Sequence, residues 1–109
     1  MTYDEFWLRY LKAHSKPETR VLHYCGSALA LGMLILAFVT HDYWWLVFAP
    51  VAGYSFAWGA HLYVEHNRPE TFGHPFWSLI SDFRMFFLFL SGRLAPHLAA
   101  AGVGSHGPY

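Results

Sequence analysis

The chain has 109 residues, of which 55% are apolar, 20% aromatic and only 13% charged. This length suits one domain, and so high an apolar share exceeds the usage of soluble domains and favours a membrane protein. The formal net charge is zero with histidine neutral, so the basic face typical of nucleic-acid-binding proteins is not expected and we predict no nucleic-acid partner.

The N-terminal segment predicts a short amphipathic helix. Residues at spacings of three and four share one helical face. Here that face carries Phe6, Trp7, Tyr10, Leu11 and His14. We expect such a helix to lie in the interface between membrane and water.

Two apolar stretches predict a membrane hairpin. They run over about 21–39 and 43–64 and are joined only by Thr40, His41 and Asp42. At a rise of about 1.5 Å per residue, each is about long enough to cross a hydrocarbon core of roughly 30 Å. Basic residues precede the first stretch and follow the second, whereas the turn has none. Both ends of the hairpin are therefore expected in the cytoplasm.

The segment at 76–90 predicts a third helix that does not cross the membrane. Asp82 and Arg84 interrupt its apolar run near the middle, and each would cost about 2.5 to 3.5 kcal/mol at the bilayer centre. We therefore expect a shallow or re-entrant helix over the cytoplasmic mouth of the hairpin. The predicted fold is all-α, with 1–94 as one helical membrane domain and 95–109 as a flexible C-terminal tail.

Three histidines and a glutamate form the candidate metal site. His61 and Glu65 are four residues apart on a predicted helix, so their side chains share one face. An imidazole beside a carboxylate suits iron, manganese or zinc. His14 and His23 each end or begin a helix at the same edge of the hairpin. We therefore predict that all four side chains converge on a metal ion.

Further polar residues surround this candidate site. His74, Ser78 and Asp82 follow one another at intervals of four, which predicts a polar stripe on the third helix. Asp82 is expected either to orient a ligand histidine or to pair with a cation such as Arg84. His66 is expected beside the site or at the interface. The histidines of the turn and the tail are expected to be solvated, and these are His41, His97 and His106.

Several separated motifs resemble one protein family. In chain order they are YLKAH at 10–14, HYCG at 23–26, WGAH at 58–61, NRPETF at 67–72, WSL at 77–79 and DFRM at 82–85. Over about residues 1–94 the chain resembles the small membrane proteins related to the fungal endoplasmic-reticulum 2-hydroxy fatty acid dioxygenase of phytosphingosine breakdown. It carries no HxxxH or HxxHH box, unlike the membrane di-iron desaturases and hydroxylases.

The resemblance implies an Fe(II)-dependent dioxygenase that uses O2 to shorten a 2-hydroxy fatty acid by one carbon. It implies His14, His23 and His61 as iron ligands, with Glu65 as a further ligand or a catalytic group beside them. We assign a second catalytic role to Asp82. The hydroxyl and carboxylate of such a substrate could chelate the iron at the interface while the acyl tail stays in the bilayer. The expected location is the inner membrane of a bacterium.

Two other interpretations stay open. In a non-catalytic membrane protein the histidines would cap helices and bind a structural metal or lipid head groups, and a simple hydrogen bond could explain the pair His61 and Glu65. Haem binding would require the faces of His23 and His61 to meet across a wide cavity. Metal analysis with an absorbance spectrum separates both functions from that of an iron dioxygenase.

Overall fold

All regular secondary structure is helical within residues 1–103, the part of the chain that the computed structural model describes. The predicted all-α class is confirmed. In chain order the elements are α1 (Tyr3–Lys12), α2 (Pro17–Thr40), α3 (Trp45–Ala60), a π-helical turn (His61–Glu65), a 3-10 turn (Glu70–Phe72), α4 (Pro75–Leu90) and α5 (Ala95–Ala100).

Helix α1 begins at a polar cap and buries one face. The Thr2 hydroxyl oxygen accepts a hydrogen bond from the Glu5 N–H at 3.3 Å, which satisfies one of the free amides of the first turn. The predicted apolar face exists, but it packs inside the protein. Phe6 and Leu11 are fully buried, and α1 contacts α4 and α5. This face therefore belongs to the core instead of resting in the membrane interface.

Helices α2 and α3 fold back on each other and make the most extensive contact between elements. His41 closes α2 in the left-handed conformation, with φ of 57°. Asp42 Oδ1 then accepts a hydrogen bond from the Trp44 N–H at 3.2 Å. The helices approach closely at Gly26, where an added Cβ would lie 2.9 Å from the Gly53 carbonyl oxygen. Glycine at this position permits the close approach.

Helix α2 is long and apolar enough to cross a membrane, with 24 residues and an 18-residue window of mean hydropathy 1.9. It is the one helix within residues 1–103 that satisfies both conditions. The second predicted stretch is not a single α-helix. Helix α3 contains Pro50 and ends at Ala60 after 16 residues, and the chain continues as the π-helical turn.

Helix α4 lies against α1 and α2. Its Asp82 accepts a hydrogen bond from the Tyr10 hydroxyl. The guanidinium carbon of Arg84 lies over the Trp7 ring, 4.2 Å from the ring centroid. The two charged residues that interrupt the apolar run are therefore partnered by α1 and need not face lipid.

The structure gives the start of the predicted tail a helix of its own. Helix α5 forms there, and Leu98 is fully buried against the aromatic residues of α1 and α4. His97 is not a solvated bystander, because its Nδ1 accepts a hydrogen bond from Trp7 Nε1 at 3.1 Å. Residues 104–109, with His106, lie outside the described residues.

Candidate metal centre

Three buried histidines from three different elements meet at one end of the hairpin. His14 follows α1, His23 lies in the second turn of α2, and His61 opens the π-helical turn. Their exposed fractions are 0%, 4% and 2%. One ring nitrogen from each lies within 4.8 Å of those of the other two. Three of the four predicted side chains therefore lie together, and their binding of a metal ion stays a prediction.

Each imidazole is held at its Nδ1 atom. The Nδ1 of His14 lies 2.6 Å from the Tyr10 carbonyl oxygen, and that of His23 lies 2.9 Å from the Thr19 carbonyl oxygen. The Nδ1 of His61 lies 2.7 Å from Asn67 Oδ1. Since a carbonyl oxygen can only accept, each Nδ1 carries the proton and donates. Each Nε2 is left as an unprotonated acceptor, which is the form that binds metal.

The Nε2 atoms of His14 and His23 lie only 3.0 Å apart. Two unprotonated acceptors at this distance repel each other unless a cation or a proton lies between them. A proton is disfavoured, because burial, and then the neighbouring His23 and His61, hold the pKa of His14 well below its usual range. Two nitrogens bonded to one ion at about 2.1 Å can lie this close together. The donor set therefore fits a transition-metal ion.

Glu65 lies beside this cluster but is engaged elsewhere. Its carboxylate accepts hydrogen bonds from the Lys16 backbone N–H and from the Ser15 hydroxyl, the latter at 3.1 Å. It is not among the residues whose ligand atoms lie within 4.8 Å of one another. Glu65 joins the π-helical turn to the loop between α1 and α2, and its role as a metal ligand stays a prediction.

Two supporting residues were missed by the sequence analysis. Asn67 accepts from His61 through Oδ1 and donates through Nδ2 to the Ala13 carbonyl oxygen at 3.1 Å. Arg20 is fully buried and donates to the His14 carbonyl oxygen at 2.8 Å. Asn67 was detectable as part of the NRPETF motif, whereas the periodicity of α2 gave no signal that singled out Arg20.

Asp82 approaches the cluster through Tyr10. The Tyr10 hydroxyl donates to Asp82, and the Tyr10 ring stacks on the His14 ring with centroids 4.1 Å apart. Burial raises the pKa of Asp82 to about 7, although the hydrogen bond from Tyr10 opposes the shift. None of the three Nδ1 atoms is bonded to Asp82, so it does not orient a ligand histidine in this structure.

The other residues of the predicted polar stripe have different partners. The His74 ring stacks on Trp77 with centroids 5.1 Å apart, and the Ser78 hydroxyl lies 3.3 Å from that of Thr71. His66 is exposed and ends the π-helical turn in the left-handed conformation. These side chains therefore stay outside the histidine cluster.

The comparisons with known proteins identify a family. No curated protein and no solved structure matches the chain. The model of one protein family, described as 2-hydroxy-palmitic acid dioxygenase Mpo1-like, matches residues 1–94. The matched range contains the three clustered histidines and the residues that hold them in place. Since it covers most of the 109 residues, the chain belongs to the Mpo1-like family.

Proposed function

We propose that the protein is an iron-dependent dioxygenase that shortens a 2-hydroxy fatty acid by one carbon. The observation that carries the proposal is the set of three buried imidazoles, each fixed at Nδ1 and each offering Nε2 to its neighbours. The family description supports the reaction and the substrate class.

The reaction balances without an external reductant. One 2-hydroxy acid and one O2 yield the acid one carbon shorter, one CO2 and one water. The bond between C1 and C2 breaks, and four electrons pass from the substrate to O2. A redox-active ion is needed for this chemistry, which favours iron over zinc among the ions that imidazole binds.

His14, His23 and His61 would hold the Fe(II), which when bound activates O2 and binds the oxygens of the substrate. Because the three ligands are neutral imidazoles, they leave the charge of the ion uncompensated, and this favours an anionic head group. A 2-hydroxy acid carries both a carboxylate and a hydroxyl that can chelate, whereas an unhydroxylated acid lacks the second oxygen.

Two carboxylate residues have separate proposed roles. Asp82, with its pKa raised to about 7, can take up or release a proton near neutral pH, as a catalytic acid or base requires. Glu65 fixes the loop at Ser15 and Lys16 and in this way positions His14. We propose Glu65 as a positioning residue.

The surface of the hairpin supports a membrane location. Near its turn, Phe38 is 65%, Val39 71% and Trp44 69% exposed, and together they form an apolar surface that suits lipid. With α2 long enough to cross, we propose that the hairpin is inserted with both ends cytoplasmic, in the inner membrane of a bacterium. The substrate would then reach the site from the bilayer.

The test measures iron and turnover on the same preparation. Protein purified without oxygen and loaded with Fe(II) should consume O2 with a 2-hydroxy fatty acid and release the acid one carbon shorter, detected by mass spectrometry. His61→Ala should lose both bound iron and turnover, because it removes one of three ligands. The control His41→Asn changes an exposed residue in the left-handed turn and should keep both.

Two results would contradict the proposal. Turnover that persists in metal-free protein, or in His61→Ala, would overturn the role of the histidine cluster. Bound iron without turnover of any 2-hydroxy acid would favour the non-catalytic metal-binding protein instead.

A further inference from the structure

A cavity of about 140 Å³ lies between α2, α3 and α4. Its polar end is formed by His23 and Asp82, and its other walls are mostly apolar or small residues of the three helices. Ala30 and Ala49 line it farther along the hairpin. The cavity therefore begins at the candidate metal centre and extends away from it.

Its dimensions suit part of an acyl chain. Along α2, His23 and Ala30 are seven residues apart, which corresponds to about 10 Å of helix. A dry apolar cavity of about 150 Å³ accepts a molecule the size of benzene, so this one holds a segment of about six carbons. A complete long-chain acid does not fit, and the rest of its chain must leave the cavity.

The cavity has a side on which the chain could leave. Two of its lining residues, Pro50 and Leu79, are exposed at the surface of the protein, and the exposed fraction of Leu79 is 44%. The neighbouring Val51 is 62% exposed. An apolar chain emerging here would pass directly onto the apolar outer surface of the hairpin.

We infer that this cavity binds the first carbons of the substrate's acyl chain, about C3 to C8, and that Ala30 limits how far they reach. The inference rests on the proposed function for the identity of the ligand. The carboxylate and hydroxyl of the 2-hydroxy acid lie at the histidine end, and carbons beyond about C8 lie in the surrounding lipid. The enzyme therefore recognises the early part of the chain and tolerates different total lengths.

The test is a series of 2-hydroxy acids of increasing length, assayed with the Fe(II)-loaded protein in detergent. Each methylene buried in an apolar site contributes about a factor of four. The kcat/KM should therefore rise about fourfold per carbon up to about C8 and then flatten. Ala30→Leu should move this plateau two or three carbons earlier, lowering kcat/KM for the C8 acid at least tenfold.

A matched control separates this effect from a change in α2 itself. Ala28→Leu adds the same side chain to an exposed position of α2 that does not line the cavity, and it should keep the wild-type profile. The inference is overturned if Ala30→Leu and Ala28→Leu have the same chain-length profile.

A second measurement does not depend on turnover or on a variant that folds. A 2-hydroxy acid with a photoreactive diazirine at C8, added to wild-type protein without oxygen, should label residues near Ala30 and Gly53. Labelling confined to the outer residues Phe38 and Val39 would overturn the inference. Because labelling requires no reaction, it still tests the cavity if no acid is turned over and the proposed function fails.

Discussion

The two ends of the molecule are stabilised in different ways. At the histidine end, where α1, α4 and α5 surround the start of α2, side chains such as Phe6, Leu94 and Leu98 are fully buried. At the turn end, the far half of the hairpin of α2 and α3, Phe38 and Val39 are 65% and 71% exposed. The histidine end has a core of its own, whereas the turn end depends on the medium around the hairpin.

The hydrogen bonds follow the same division. At the histidine end several of the side-chain hydrogen bonds connect distant parts of the chain, such as those of Asn67 with Ala13 and of Tyr10 with Asp82. At the turn end, the Thr40 hydroxyl donates to the Leu36 carbonyl oxygen, and Asp42 accepts from the Trp44 N–H. These hydrogen bonds join residues that are at most four positions apart. The three histidines that could hold a metal ion therefore lie at the end where the protein fixes its own geometry.

The largest difference between the ends is expected when one phenylalanine is removed from each. Phe6→Ala should lower the free energy of unfolding in detergent by about 3–5 kcal/mol, because it leaves a cavity in a closed core. Phe38→Ala removes the same atoms from an exposed position, so the free energy of unfolding should change by less than about 0.5 kcal/mol. Thermal or denaturant unfolding, followed by circular dichroism, measures both. If both variants lost the same free energy of unfolding, the histidine end would not differ from the turn end in having a core of its own.

The helical fold and the three histidines were predictable from the sequence. Phe6, Tyr10 and His14 recur at intervals of four, and the structure buries all three, the first two on α1 and His14 just beyond its end. His23 and His61 lie at similar distances from the turn, so folding the hairpin brings them to the same level. These inferences needed only helical periodicity and the position of one turn.

Two features could not be predicted in this way because they depend on distant contacts. The prediction for Glu65 assumed an α-helix, but the chain forms a π-helical turn, in which the His61 carbonyl oxygen accepts from the His66 N–H and also from the Asn67 N–H at 2.9 Å. The Glu65 carboxylate instead binds Ser15 and Lys16, which lie 50 and 49 positions away along the chain. The six residues of α5 are too few for a periodic pattern. That helix is held by Trp7, which lies 90 positions away from His97.

The next largest effect concerns Asp82, which lies between the core and the cavity. Its pKa rises from 3.8 to about 7 on folding, so between these pH values the folded protein holds a proton that the unfolded chain has lost. The contribution of Asp82 to the free energy of unfolding therefore falls as the pH rises from about 4 to 7. Asp82→Asn cannot titrate, and its free energy of unfolding relative to wild type should increase by about 2 kcal/mol between pH 5 and pH 7.

The measurement is the free energy of unfolding of wild type and of Asp82→Asn at each pH. Subtracting one value from the other cancels the contributions of all other titrating groups. Above about pH 8 the difference should stay constant, since Asp82 is then ionised in both the folded and the unfolded state. A difference that does not vary with pH would mean that Asp82 does not carry the proton assigned to it.

The smallest effect concerns the contact between α2 and α3, which joins the two ends. A Cβ at Gly26 would lie 2.9 Å from both the Gly53 carbonyl oxygen and the Phe56 Cβ, whereas a Cβ at Gly32, nearer the turn, would have no atom within 4 Å. Gly26→Ala should therefore destabilise the protein by about 1–3 kcal/mol through overpacking. Gly32→Ala should stabilise it by up to about 1 kcal/mol, because alanine favours the helix more than glycine does. Thermal unfolding of both variants in one detergent gives the comparison, and a loss of stability in Gly32→Ala would show that the helices are as tightly packed near the turn as they are beside the histidines.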